Sequence, residues 1–361
     1  MGRRLKAQHG EVYRYPNARF GYFGWPTLAR MDNGTLVVAS SGLRTAHVDP
    51  WGRTTLHYSY DNGHTWSELR VINDSPIDDR DAGIVNLGGN RLLVSWFTSD
   101  TKAIWDVHGP APADHVKTTD TWTGELIDRF LGSYVMLSED AGWTWGSPIR
   151  IPISAPHGPI LLDGGDVLYL GKQMHGTFSV DETGEVTAYR SSDGGQTWRR
   201  LGNVPSSPGV SVEWFCEPHV VELPSGKLLG AIRLDMHEDA GEFRNFNIVQ
   251  TESNDGGLTW SEVKPLGFHG SPPHLLRHSS SKLIMTYGYR MEPFGQRVAI
   301  SSDEGATWEH DWVIRDDGPS SDLGYPSTVE LPDGSLISVY YQQAAADEHC
   351  SLLWSHWTLP E

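Results

Sequence analysis

The chain has 361 residues, with 28 basic against 46 acidic side chains and a formal charge of −18, which excludes a general polyanion binder because phosphate backbones need a basic surface. Nucleic acid is therefore not an expected partner, and an acidic ligand would need a local cluster of arginines. Thirty-nine glycines, 22 prolines and 15 tryptophans beside only 20% charged residues favour many short strands and tight turns, hence an all-β chain.

From the N-terminus, MGRRLKAQHGEVYRYPNARF carries two arginines without an apolar run of signal-peptide length behind them, and no later stretch is long enough to span a membrane. The expectation is a cytoplasmic chain with no membrane partner, or a secreted one if a leader has been removed. Cys216 and Cys350 are too few for a disulfide framework and lack metal-site spacing.

Two motifs then recur along the chain. An apolar strand opened by a turn appears six times, as MDNGTLVVAS (31–40), LGGNRLLVSWF (87–97), LDGGDVLYLGK (162–172), LPSGKLLGAIR (223–233), HSSSKLIMTYG (278–288) and LPDGSLISVYY (331–341). Interleaved with it, a Ser-x-Asp-x-Gly-x-Thr-Trp pattern appears five times, at 59–66, 138–145, 191–198, 253–260 and 301–308. Its physical reading is a hairpin turn: Ser and Asp side chains bond turn amides, the Gly takes a positive φ, and the Trp packs beneath. Asp61, Asp140, Asp193, Asp255 and Asp303 are thus structural, not catalytic. One blade of four strands per pair of motifs predicts a six-bladed β-propeller spanning 1–361 as a single domain. Residues 98–130 exceed the repeat and form an insertion, with a short helix at GELIDRF, open to a lid or an oligomer contact.

In a propeller the starts of the inner strands converge on one pocket. Here they fall near Phe23-Gly24-Trp25-Pro26, Asp81-Ala82-Gly83, His157-Gly158-Pro159, Glu217-Pro218-His219, Pro272-Pro273-His274 and Tyr325-Pro326-Ser327. His157, His219 and His274 show no short ligand spacing and are read as channel-lining or satisfied histidines. No P-loop or dinucleotide fingerprint is present, so no cofactor is expected.

The repeats, with two site-specific segments, resemble the sialidase (neuraminidase) superfamily of Asp-box propellers. CEPHVVELPSGKLLGAIR (216–233) is similar to the family stretch in which a Glu-Pro pair opens an inner strand and an Arg closes the next. The resemblance implies Glu217 as the catalytic glutamate and Arg233 as a carboxylate-binding arginine. DLGYPSTVELPDGSLISVYY (322–341) resembles the stretch carrying the nucleophilic tyrosine, which falls on Tyr325. A sialic acid bears a carboxylate on its anomeric carbon, so a tyrosine activated by a glutamate is a less repelled attacker than a carboxylate would be.

The first blade departs from that pattern. Gly24 stands where the family places an arginine, with Trp25 beside it, and Val339-Tyr340-Tyr341 stands where a Leu-Tyr-Glu would supply that arginine's partner. Loss of both halves is coherent, because either charge alone would stand uncompensated, and it implies a site remodelled for a different substrate group. The loop SGLRTAHVDPWGRT (41–54) offers Arg44 as a ligand and either Asp49 or His47 as proton donor. Asp81 is a substrate-binding candidate, Trp25 another, and either Arg290 or Arg297 supplies a further guanidinium. The implied function is an exo-acting, retaining hydrolase that removes a terminal sialic acid or related acidic sugar from an oligosaccharide or glycoconjugate. A propeller glycosidase or lyase using His47 on another sugar, and a glycan-binding propeller without turnover, are the alternatives.

Overall fold

The computed structural model describes residues 2–108, 110–172, 184–236 and 238–360. Its strands form six sheets of four antiparallel strands, five of them running in sequence order from an inner to an outer strand and the sixth taking its outer strand from the N-terminal segment, and one of the five gains a fifth strand at its outer edge. The inner strands are Tyr22–Arg30, Asp78–Asn86, Ile160–Leu161, Phe215–Glu222, Pro273–Arg277 and Gly324–Glu330. Second strands such as Leu36–Arg44 and Leu92–Ser99 are almost wholly buried, whereas outer strands such as Arg70–Asn73 and Arg199–Asn203 are not. That gradient explains why the apolar runs marked second strands: a strand covered on both faces reads as a continuous hydrophobic stretch.

Six apolar clusters lie one at each contact between neighbouring blades. The ring closes through the cluster that joins the first blade to the sixth, with Phe23, Leu28 and Val38 packed on Ile337, Val339 and Leu352. The architecture is the six-bladed β-propeller expected from the repeats.

The chain ends meet within one sheet. Residues Ala7–Tyr13 form the outer strand of the sixth blade, antiparallel to Cys350–Trp357, and Arg3–Arg4 add a parallel strand to the outer edge of the fifth. Five repeat turns serve six blades for this reason. In the first five blades the turn joins the third strand to the fourth, but in the sixth the fourth strand comes from the N-terminal segment and no hairpin is needed there.

In every repeat turn the Ser hydroxyl accepts the Gly amide, and the Asp carboxylate accepts the Thr amide and hydroxyl. The five glycines, 63, 142, 195, 257 and 305, all have φ between 83° and 97°. The threonine hydroxyls and amides hold the carboxyls of Asp193, Asp255 and Asp303 down to about 2.

Three helices, α1 (Thr101–His108), α2 (Ala113–Thr119) and α3 (Gly124–Phe130), occupy the 98–130 segment. The last coincides with GELIDRF and is capped by Thr123, whose side chain accepts the Leu126 amide. Among the described residues no helix is long and apolar enough to cross a membrane.

Replacing Asp193 by alanine is expected to lower the thermal unfolding midpoint, since four bonds to the turn are lost, while any catalytic kcat/KM stays within about a factor of two. Differential scanning fluorimetry alongside kinetics checks this.

Candidate active site

Four inner strands carry the same irregularity. Trp25, Asp81, Glu217 and Tyr325 adopt φ values of 52°, 49°, 50° and 52°, and each lies at a break in register against the second strand of its blade. A left-handed residue in a bulge turns its side chain out of the ladder, at a cost of order 1–3 kcal/mol for a non-glycine residue. Four such residues around one axis mark a site that the surrounding packing maintains. Proline follows in three of them, at 26, 218 and 326, where it removes the N–H that the bulge would leave unpaired. The expected convergence of strand starts is therefore present, but pairing extends beyond the bulges, so these strands begin up to three residues earlier than expected. In the third blade the ladder is two residues long, and His157 precedes it.

The Tyr325 hydroxyl donates to Glu217 Oε1, and Arg233 Nη1 donates to Oε2 at 2.6 Å. Burial, together with the charges of Glu217 and Asp81, pushes the Tyr325 phenol well above its usual range, with Arg233 and Arg290 pulling the other way. The phenol thus stays protonated at rest, and its proton has a carboxylate waiting to receive it. Arg290 lies 5.7 Å over the Tyr325 ring and bonds Leu323 O and the Tyr341 hydroxyl, while the Phe246 ring stands within 4.7 Å of the Arg233 guanidinium and 5.9 Å of that of Arg290. Arg297 is turned elsewhere: it stacks on Tyr289 at 3.5 Å and pairs with Asp311. Of the two candidates, Arg290 is the one beside the tyrosine.

Gly24 explains the first blade. A Cβ there would meet the Tyr22 ring at 3.3 Å and the Tyr341 ring at 3.7 Å, so two phenols take up the space of the expected arginine side chain. Both hydroxyls, at 3.0–3.1 Å, and His47 Nδ1, at 2.9 Å, converge on Asp322. Burial works against the Asp322 charge, but the bonds from His47 and Tyr22 and the nearby Arg290 outweigh it and hold the carboxyl far below its usual range. An ionised Asp322 fixes the His47 proton on Nδ1 and leaves the Nε2 lone pair available. Burial lowers the His47 pKa against the pull of Asp322. The side chains of His47 and Asp322 are 40% and 34% exposed, whereas Tyr325, Glu217, Asp81 and Trp25 are each 4% or less. The cluster opens to solvent on the His47 side.

Trp25 forms the floor. Its indole lies over the guanidiniums of Arg44 and Arg80 at 4.9 and 4.4 Å and meets His47 and Tyr325 edge-on at 5.0 and 6.4 Å. Arg44, expected as a ligand, lies beneath this floor. It is fully buried, paired bidentately with Asp78 at 2.5 and 2.9 Å, with its other donors on Ser41 Oγ and the carbonyls of Ala46 and His47, so a substrate finds no free N–H there. Asp49, expected as one of two proton donors, is also fully buried and accepts the Thr45 amide and hydroxyl and the Trp51 amide. It braces its own loop, and His47 alone of the two faces the cluster.

Burial raises the Asp81 carboxyl to about 7, with Glu217 adding to the rise and Arg80 opposing it. Asp81 Oδ1 and Arg233 Nε are buried without a hydrogen-bond partner among the described residues. His219 Nδ1 accepts the Leu275 amide and His274 Nδ1 the Thr328 amide, each from the next blade, and His157 bonds Thr27. These histidines close the backbone of the channel. Among the described residues no group of three or more His, Cys, Asp or Glu is placed to hold a metal.

Asp322, Tyr22 and Phe246 were not singled out in the sequence, and Tyr341 only as standing where the family has a glutamate. Asp322 left a signal, an acid three residues before Tyr325 in the segment already marked.

A family model for the BNR repeat-like domain matches residues 116–338. The chain belongs to this family. It is 24% identical to a sialidase of Bacteroides fragilis over 371 residues, covering 90% of the chain and 60% of that protein, so the chain spans less than two thirds of the relative's length. Among solved structures, a protein of unknown function from Dyadobacter fermentans superposes with a TM-score of 0.74 at 24% identity, covering 98% of the chain and 99% of its own. The NanB sialidase of Streptococcus pneumoniae follows at 0.68 and 14%, covering 97% of the chain and 70% of its own. At these identities the likeness carries the fold, a sialidase-type propeller.

The raised pKa of Asp81 has a sign. The folded protein holds this proton more tightly than the unfolded chain, so stability falls as pH rises from about 4 to about 7 and is flat above. Asp81→Asn, a residue that tolerates the left-handed backbone, is expected to stabilise the protein at pH 8 by about 1–2 kcal/mol more than at pH 4; urea unfolding at the two pH values checks it.

Proposed function

We propose that the protein is an exo-acting, retaining glycoside hydrolase of sialidase type, removing a terminal sialic acid or related acidic sugar from a glycan. The observation that carries this reading is the chain Tyr325–Glu217–Arg233, a buried phenol bonded to a carboxylate whose second oxygen is held by a guanidinium. Tyr325 oxygen attacks the anomeric carbon as its proton passes to Glu217. The bond to the aglycone oxygen breaks, and protonated His47 delivers a proton to that oxygen from Nε2. Water then attacks the glycosyl-tyrosine carbon, giving its proton to His47, and Tyr325 leaves and recovers its own proton from Glu217. Arg233 and Arg290 are the groups available to an anomeric carboxylate, and Asp81 to a neighbouring polar substituent.

One observation favours a second reading, a glycosidase or lyase for another terminal sugar. Tyr22, Tyr341 and the charge of Asp322 lie where a third arginine would stand, which suits hydroxyl groups better than a second carboxylate oxygen.

A panel of 4-methylumbelliferyl glycosides that includes the α-sialoside tests both readings. Turnover of the sialoside or another sugar acid, with a loss of about a thousandfold in Tyr325→Phe, is expected. Turnover of neutral glycosides alone selects the second reading, and a fully active Tyr325→Phe overturns the mechanism.

Because the first step needs His47 protonated and its pKa is lowered, kcat/KM is expected to fall with rising pH already below the ordinary histidine value of about 6.5. That limb disappears in His47→Ala, as a pH–rate profile reads directly.

A further inference from the structure

We propose that the inserted helices are a working part of this site: through His115 they hold the 45–51 loop so that His47 serves the leaving group. The inference rests on His47 acting as proton donor, as above. His115 is a positioning residue, since it touches neither Tyr325 nor the reacting atoms.

The connection runs through short contacts. Helix α2 turns His115 inward, where it is 2% exposed, and its Nε2 lies 2.9 Å from Thr45 Oγ1. The Thr45 hydroxyl donates to Asp49 Oδ2 at 2.5 Å, so it accepts from His115 and places that ring's proton on Nε2. Asp49 in turn takes the amides of Thr45 and Trp51 at 2.7 and 2.6 Å, closing the seven-residue loop TAHVDPW on itself. The indole of Trp51 stands edge-on to His115 at 5.0 Å, and Thr101, opening α1, donates to the Asp49 carbonyl at 3.3 Å. Arg19 adds a clamp from the N-terminal side, paired with Asp114 at 2.7 Å and lying over Trp51 at 5.2 Å.

The loop is thus fixed from two directions. Arg44 and Arg80 hold the His47 carbonyl from below at 3.1 and 3.2 Å, and the helices hold its flanks from above. What remains to project is the imidazole, aimed at Asp322. The carboxylate that residue type would suggest as the acid has become the internal anchor of the loop that presents the histidine.

A proton donor matters in proportion to how poor the leaving group is, and a purely structural brace gives no such dependence. The test compares wild type, His115→Ala, His115→Gln and Thr45→Val on glycosides of one sugar with aglycones of graded acidity, with thermal midpoints recorded. His115→Gln keeps an N–H near the Nε2 position. The expected result for His115→Ala is a loss of about 10- to 100-fold in kcat on alkyl or sugar aglycones, against less than about threefold on activated aryl ones. KM stays nearly constant and the Gln variant restores activity. Thr45→Val, which breaks the same relay without opening a cavity, is expected to repeat the pattern, and it decides the question if His115→Ala does not fold.

Equal losses on all aglycones, or none, overturn the proposal. His47→Ala is the control that separates the two levels: if it shows no leaving-group dependence, the role assigned to His47 fails. If it shows that dependence and the His115 and Thr45 variants do not, only the bracing role fails.

Discussion

Six inner strands face one another around an axis with no neighbour to pair with on that side, and the molecule is organised by how those edges are satisfied. An unpaired strand edge buried in protein leaves amides and carbonyls without partners. Lower in the channel the answer is structural: Ser327 accepts the Leu28 amide, His219 the Leu275 amide and His274 the Thr328 amide, so side chains tie blade four to five, five to six and six to one. At the upper rim the answer is a bulge that ends regular pairing and points Trp25, Asp81, Glu217 or Tyr325 out of the ladder. The candidate site residues stand where the same edge problem is solved by strain instead of by a hydrogen bond.

The charges around the site are nearly balanced. Arg233 faces Glu217 and Asp235, and Asp322 faces His47 with Arg290 near, while beneath the floor Arg44 faces Asp78. Arg233 and Arg290 therefore have defined orientations, which lowers the reorganisation a substrate would demand.

The scaffold was legible because its chemistry is local. A Ser, an Asp, a Gly and a Thr within seven residues close a turn wherever they occur, and counting those turns located the blades. Glu217 and Tyr325 were legible because each sits in a segment of distinctive residues. What escaped depends on contacts distant in sequence. Arg44 and Asp49 have the residue types of a ligand and an acid, yet Asp78 and the loop's own amides claim their atoms, and helices that begin at Thr101 bury them. Choosing His47 over Asp49 required seeing Asp322, 275 residues away. Arg290 and Arg297 were indistinguishable by spacing, because only packing on Tyr289 and pairing with Asp311 draws the second aside.

The strand Ala7–Tyr13 completes the blade that carries Tyr325. This strand and its partner Cys350–Trp357 flank the hairpins of the other five blades in the sequence, so the sixth blade is the joint at which the ring is fastened. Until these two segments pair, neither that blade nor the contact between blades six and one that underlies Trp25 and Tyr325 is complete. The pairing that closes the ring is therefore also the one that assembles the candidate site.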